Sequence, residues 1–453
     1  MMTWTLDRLE HALRAELQPS ARPSGNSALG NVSTDTRTLS RGDIFVALRG
    51  ERFDGHDFLS QAASSGASVL VVDDPVRTVG LGIPVLVVRD TTRALGALGA
   101  WWRATWGGTV VAVAGSNGKT TTKELIRAAL SGSLDVYATT GNLNNQVGVP
   151  LTLLRLPSSA NVAVVEIGTS IPGEVDLLRR IVAPDVSVVT SIGEEHLEGL
   201  GSLEGVLNEE AAIYDRVPLG LAPTAQPEIG RAARSRAARV IEAGLEAGDV
   251  RPDHWGMSSD GRGWATFGET RITMRVPGAH NLRNAMLAMA VARACGIRDD
   301  AAAGGISRVE PLEMRGRWIA SGELTIINDA YNANPASMRE AIALLDSLDR
   351  GRPHVLVLGT MRELGPQAPA LHAEIAARAL SSGVAIVAGI GDFVAPLSAR
   401  TDARDRVVSA PDVPELWAAL ALRLPKNAIV LLKASRGVRL ERLVPLMRDW
   451  SSV

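Results

Sequence analysis

The chain has 453 residues, 46% hydrophobic and 21% charged, with 47 Lys and Arg against 49 Asp and Glu. That length accommodates roughly two to four well-cored domains. The net charge of −2 offers no basic field for nucleic acid or an anionic membrane. Cys295 is the single cysteine, which excludes an internal disulfide framework or multi-cysteine zinc cluster and fits a reducing, cytoplasmic setting.

Residues 1–17 are charged and amphipathic without an apolar leader core, and no apolar run is long enough to span a bilayer. Strand signals follow at 44–48, 69–73 and 85–88, separated by polar turns. Residues 33–58, STDTRTLSRGDIFVALRGERFDGHDF, gather polar side chains and Arg37 around one short strand. Such a cluster suits a nucleotide diphosphate, although read alone it is a set of turns.

A helix over 91–106 leads into the most informative stretch, residues 110–126, VVAVAGSNGKTTTKELI. Its β-branched run predicts a buried strand, Gly115-Ser116-Asn117-Gly118 a turn, and Lys119, Thr120 and Thr121 the start of a helix. Glycines let backbone N–H groups close on an anion, and the helix N-terminus adds positive potential. Lys119 can then reach terminal phosphates and Thr120 can hold Mg²⁺. The spacing G-x-x-G-K-T is shorter than the usual phosphate-loop pattern, yet the strand before it and the helix after it predict an ATP site.

Residues 139–150, TTGNLNNQVGVP, concentrate amides and hydroxyls suited to a polar substrate. A strand over 162–167 carries Glu166 near its end, where a buried carboxylate needs a partner; beside the phosphate-loop strand it would approach Mg²⁺. A further strand over 186–190 runs into a turn with His196 between Glu195 and Glu198, placing an imidazole where a second divalent ion would sit. Residues 222–247, rich in Ala, Arg and Glu, read as a surface helix. A helix over 281–295 closes the segment, with Cys295 as a small core residue.

The last segment has strand signals at 324–327, 355–358, 385–388 and 428–432, alternating with helical stretches. MRGRW (314–318) puts Arg317 on an interdomain loop within reach of phosphates. INDAYNANPAS (327–337) offers Asp329 to a ribose and Tyr331 for stacking. KASRGVR (433–439) offers Lys433, Ser435 and Arg436 to an anion. The expected fold is α/β with parallel sheets, in segments 1–88, 89–306 and 307–453.

AGSNGKTTTKE, TTGNLNNQVGVPLTLL, EIGTSIPGE, IGEEHLEGLGSLEGV, GAHNLRNA, NDAYNANPASM, LGTMRELG and KASRGVR, in this order, resemble the Mur ligases over nearly the whole chain. TGNLNNQ and YNANP are closest to the members that add D-alanyl-D-alanine to UDP-N-acetylmuramoyl-tripeptide, and the D-N-P-R motif of diaminopimelate-adding members is absent. The resemblance implies a small N-terminal uridine-nucleotide domain, a central phosphate-loop ATPase domain and a Rossmann-like C-terminal domain. The implied enzyme is an ATP- and Mg²⁺-dependent ligase of peptidoglycan synthesis that works through an acyl phosphate, as a cytoplasmic monomer without nucleic-acid or membrane partners.

By the same resemblance, Gly115, Ser116, Asn117, Gly118, Lys119, Thr120, Thr121, Asn281, Arg317 and Asp329 would bind ATP. Ser33, Asp35, Arg37, Thr139, Thr140 and Asn142 would serve the UDP-substrate, and Tyr331, Asn332, Asn334, Lys433, Ser435 and Arg436 the amine. Thr120 and Glu166 would hold one Mg²⁺ and His196 the second. The chain departs from the family pattern at three positions: Asn328 and Thr360 stand where aspartates are common, and Glu210 stands where a carbamylated lysine is usual. Glu210 (or its neighbour Glu209) is expected to replace that lysine as the second ion's anion. The alternatives are addition of a single amino acid, or a nucleotide-binding relative with weakened catalysis.

Overall fold

The computed structural model describes residues 3–14, 27–348 and 351–452; parts of the amphipathic N-terminal stretch, residues 1–2 and 15–17, lie outside them. The chain divides into two compact units. One takes residues 1–112, 134–169 and 173–186, the other 113–133, 170–172 and 187–453. This differs from the three sequence segments: the phosphate loop packs with the C-terminal part of the chain, while the strand leading to it belongs partly to the first unit.

In the first unit, β1 (Val32–Ser33), β2 (Ile44–Val46), β3 (Val69–Val72) and β4 (Val85–Val87) form a parallel sheet in sequence order. Both faces of β2 and β3 are buried, as the continuous apolar runs predict for parallel strands. The helix Thr91–Trp106 starts at Asp90, whose side chain accepts from the Arg93 N–H, and stops at Gly107 in the left-handed conformation. Both ends therefore use ordinary capping chemistry. Next come β5 (Thr109–Ala114), β6 (Val136–Ala138) and β7 (Val162–Glu166), with β7 between the other two.

In the second unit, the end of β5 adjoins β8 (Val186–Val189), where the Thr190 N–H donates to Ala114 O at 3.0 Å. β9 (Leu219–Pro223) and β10 (Arg239–Ala243) extend this sheet in parallel. The buried Tyr214 hydroxyl accepts from the Val189 N–H and donates to Leu221 O, linking β8 to β9. Residues 222–247 are thus not one surface helix. Only Pro227–Arg234 is helical, and the helix-forming composition yields to pairing of Arg239–Ala243 with β9 along the sheet edge. Cys295 is also not a core residue; it caps the helix Ala279–Ala294 and is half-buried.

Beyond an antiparallel three-stranded sheet, β11 (His254–Met257), β12 (Arg262–Phe267) and β13 (Thr270–Pro277), lies the C-terminal sheet. It contains β14 (Arg317–Ser321), β15 (Leu324–Asp329), β16 (His354–Leu358), β17 (Ile386–Ile390), β18 (Val407–Ala410) and β19 (Ile429–Lys433). Their order is β14-β15-β19-β16-β17-β18, antiparallel only at β14. The α/β class with parallel sheets is as expected from the sequence. Among the described residues no helix is long and apolar enough to cross a membrane.

Candidate active site

The phosphate loop is held by its neighbours in the second unit. Gly115 has φ +119, and a Cβ there would lie 2.4 Å from Thr190 Oγ1, so both the conformation and the space require glycine. The Ser116 N–H donates to Ser191 O at 2.7 Å, and the Asn117 N–H to Ser191 Oγ at 3.1 Å. Lys119 opens the helix Lys119–Leu130 and folds its ammonium back onto Gly115 O at 2.5 Å. That ammonium is therefore poised over the loop that would take a phosphate. Thr120 is buried beside it and Thr121 half-buried.

Three buried carboxylates each keep one oxygen without a hydrogen-bond donor: Glu166 Oε2, Glu195 Oε1 and Glu210 Oε1. In the first unit, Glu166 ends β7, its Oε1 accepting from Asn144 at 2.9 Å and its N–H donating to Thr139 Oγ1 at 3.0 Å. Thr139 therefore supports Glu166 directly, while Thr140 and Asn142 are exposed on the same loop. In the second unit, Glu210 Oε2 accepts from the Gly115 N–H at 2.8 Å, so the Glu210 carboxylate is bonded to the phosphate loop. Burial pushes its carboxyl up to about 7; Lys119 opposes that shift and Glu195 adds to it.

Glu195, mentioned only as a neighbour in the sequence reading, lies 3.7 Å from the Lys119 ammonium. Burial raises its carboxyl, against the pull of Lys119 and His196. His196 sits in the left-handed conformation, φ 51. Its Nδ1 bonds the Glu363 carboxylate, and its Nε2 is 3.9 Å from Glu195 Oε2. Burial would lower this imidazole, but Glu363 and Glu195 together raise it above the usual range.

An anion oxygen buried without a donor is costly, and a divalent cation relieves that cost, so these residues fit Mg²⁺. No three His, Cys, Asp or Glu side chains among the described residues make a ready ion cage.

The other expected residues are placed as follows. Asn281 is buried, donating to Pro277 O at 2.6 Å, next to Asn284, whose amide packs on Gly118. Arg317 lies at the start of β14, not on a loop, and is paired with Glu313; Trp318 and Ile319 continue a strand that pairs with β15. Asp329 and Lys433, expected to meet different substrates, instead bond each other at 2.5 Å across adjacent strand ends, and Lys433 also donates to Asn332 O. Asn334 caps the helix Pro335–Ser347 and donates to Asn117 Oδ1 at 3.0 Å. Ser435 is buried, accepting from the Arg362 N–H and donating to Ala333 O.

Tyr331 lies under the Arg315 guanidinium at 3.9 Å, and Arg436 bonds Glu441 and Met314 Sδ. Ser33 Oγ bonds the Asp35 backbone. Asp35 forms a bidentate pair with the exposed Arg37, whose hydrogen bonds hold its carboxyl down to about 2.

Arg339 was not singled out from the sequence. It grips Glu194 at 2.9 Å and Glu374 at 2.8 Å. Gln226, also missed, makes two amide bonds to Ile192, each 2.8 Å. Their partners are far away in sequence, so no local motif announces them.

Three family descriptions match in succession: "Mur ligase family, catalytic domain" over residues 29–101, "Mur ligase middle domain" over 113–292, and "Mur ligase, glutamate ligase domain" over 314–436. The UDP-N-acetylmuramoyl-tripeptide--D-alanyl-D-alanine ligase of Bacillus subtilis is 36% identical over 430 residues, covering 92% of this chain and 93% of its own. The ligase of the same name from Escherichia coli is 33% identical over 466 residues, covering 99% of both. Among solved structures, MurF from Acinetobacter baumannii superposes with a TM-score of 0.90 at 29% identity, covering 99% of both chains. MurF from Thermotoga maritima, in complex with ADP, gives 0.82 at 25% identity, covering 93% of this chain and 98% of its own.

A strand, a glycine-rich turn and a lysine opening a helix, together with buried carboxylates that keep spare oxygens, define an α/β phosphate-loop enzyme. More particularly, the chain belongs to the Mur ligase family.

Proposed function

We propose that the chain is an ATP-dependent ligase that joins D-alanyl-D-alanine to the C-terminal carboxylate of UDP-N-acetylmuramoyl-tripeptide, producing the pentapeptide precursor of peptidoglycan. The observation that carries this reading is the Lys119 ammonium held over the Gly115–Gly118 turn beside Glu195 and Glu210. Two ligases named for this activity match over nearly the whole chain, which supports the choice of substrates.

In the reaction, a tripeptide carboxylate oxygen attacks the γ-phosphorus of ATP, and ADP leaves. The amine of D-alanyl-D-alanine adds to the resulting acyl phosphate, and inorganic phosphate leaves as the amide forms and the amine loses a proton. Positioning and charge neutralisation provide most of the catalysis. Loop N–H groups and Lys119 would orient the γ-phosphate, with Asn281, Arg317 and Asp329 on the nucleotide. Arg317 and Asp329 would exchange their present partners, Glu313 and Lys433, for it. Mg²⁺ would supply charge neutralisation at the phosphates, with Thr120, His196 and Glu210 of the second unit and Glu166 of the first as the residues that would hold it.

Ser33, Asp35, Arg37, Thr140 and Asn142 would meet the UDP-substrate, with Thr139 supporting the same loop. Tyr331, Asn332 and Arg436 would face the amine, while Asn334, Lys433 and Ser435 shape that loop through their internal bonds. The domain limits 1–88, 89–306 and 307–453, a monomeric state and a cytoplasmic location belong to the same reading.

Phosphate release measured with ATP, UDP-N-acetylmuramoyl-tripeptide and D-alanyl-D-alanine tests it. Release is expected only with all three present. Release supported equally by a single amino acid in place of the dipeptide, or no release at all, would overturn it.

A further inference from the structure

The bond between His196 and Glu363 joins two loops that the sequence keeps 167 residues apart. We propose that Glu363 is a positioning residue: its carboxylate takes the Nδ1–H of His196 and so turns Nε2 toward the phosphate site, making the cation-binding geometry depend on a residue supplied by the C-terminal sheet. This rests on the reading of His196 as an ion ligand. Metal-binding histidines ordinarily donate their other ring N–H to a carboxylate or carbonyl, which selects the tautomer and holds the ring plane.

Three independent features fix Glu363 in this role. Its own backbone is in the left-handed region, φ 63, as is that of His196, φ 51. For side chains of this kind such a conformation is strained and persists where the surroundings impose it. The segment carrying Glu363 is also pinned on several sides. The Met361 N–H donates to the buried His372 Nε2 at 2.9 Å, the Arg362 N–H to Ser435 Oγ at 3.0 Å, and the Asp392 N–H to Thr360 Oγ1 at 3.1 Å.

Finally, the two loops touch through their backbones as well as their side chains. The Glu198 N–H donates to Glu363 O at 3.2 Å, and a Cβ on Gly365 would lie 3.3 Å from Glu198 Cα. A chance surface ion pair needs none of this. On Glu195's side, His196 Nε2 has only a carboxylate 3.9 Å away, so the ring's other nitrogen is left facing an anion that a cation can bridge.

Mn²⁺ binding to the full chain in the presence of ADP, followed by electron paramagnetic resonance, tests the proposal without turnover. Glu363→Ala should weaken Mn²⁺ by about 10-fold or more, and Glu363→Gln, which keeps an acceptor oxygen, by less. ADP affinity measured without metal should be unchanged. His196→Ala should lose as much, and the double variant no more than His196→Ala alone.

In ¹⁵N spectra of the chain's seven histidines, the resonance absent in His196→Ala should report a protonated Nδ1 that shifts in Glu363→Ala. Arg339→Ala, which loosens a neighbouring contact to Glu194 without touching His196, should leave Mn²⁺ affinity and that resonance in place. If Glu363→Ala keeps wild-type Mn²⁺ affinity while His196→Ala loses it, or if Arg339→Ala matches the loss in Glu363→Ala, the positioning role is wrong and the metal reading stands. If His196→Ala keeps its Mn²⁺ affinity, both fail.

Discussion

Two loops of the second unit follow adjacent strands and are built in opposite ways. The one after β5, residues 115–118, is shaped by its own glycines and by the chain just past the end of β8: Ser116 bonds Ser191, and Gly115 packs on Thr190. The one after β8, residues 191–201, is shaped from a distance. Gln226 holds Ile192, Arg339 holds Glu194, and Glu363 holds both His196 and the Glu198 N–H. A local loop tolerates change elsewhere in the chain. A remotely held loop feels such change contact by contact, and the Glu363 contact is the one that bears on His196.

The largest effect is expected at the local loop. Lys119→Ala removes the ammonium placed over the turn, and ligation should fall by about 10³-fold or more, in the range seen when a preorganised charge partner of a transferring phosphoryl group is lost. Steady-state phosphate release with saturating substrates checks it, and a drop of less than about 10-fold would mean that the phosphates bind elsewhere.

Glu210 sharpens the contrast, because it ties the local loop to the helix Leu203–Ala211. Glu210→Ala should lower kcat by about 100-fold, whereas Glu209→Ala should stay within about 5-fold. Wild-type activity should be independent of added bicarbonate, since a carboxylate is already present without carbamylation. Equal effects of the two substitutions, or stimulation by bicarbonate, would break this account.

The smallest effect belongs to a remote contact of the local loop. Asn334→Ala deletes a helix N-cap and the bond to Asn117. It should reduce stability by about 1 kcal/mol, read as a drop in melting temperature of roughly 2 °C, with less than about 5-fold change in KM for ATP. A large KM effect would show that residues 115–118 are less self-sufficient than their geometry indicates.

Legibility followed the same division. Strand-and-loop units whose information is contiguous were readable: the helix 91–106, the buried runs that became β5, β7, β8 and β19, and the placement of Glu166 at a strand end; His196 lies further on, in the loop after β8. The stretch 222–247 was misread because its Ala, Arg and Glu composition favours a helix, while pairing with β9 converts its second half into a strand. Asp329 and Lys433, given to separate substrates by the family resemblance, lie 104 residues apart; register on adjacent strands joins them. Glu195 was passed over because a carboxylate next to a histidine in sequence says nothing about burial.

The sequence by itself determined the strand, turn and helix at Gly115–Thr120 and the α/β alternation, because glycine conformations, helix starts and apolar periodicity are written within a few residues of where they act. Only the tertiary structure decided which carboxylates keep spare oxygens, that Glu210 bonds the phosphate loop, and that His196 is held by Glu363. Those outcomes depend on burial and on contacts between segments that no local pattern encodes.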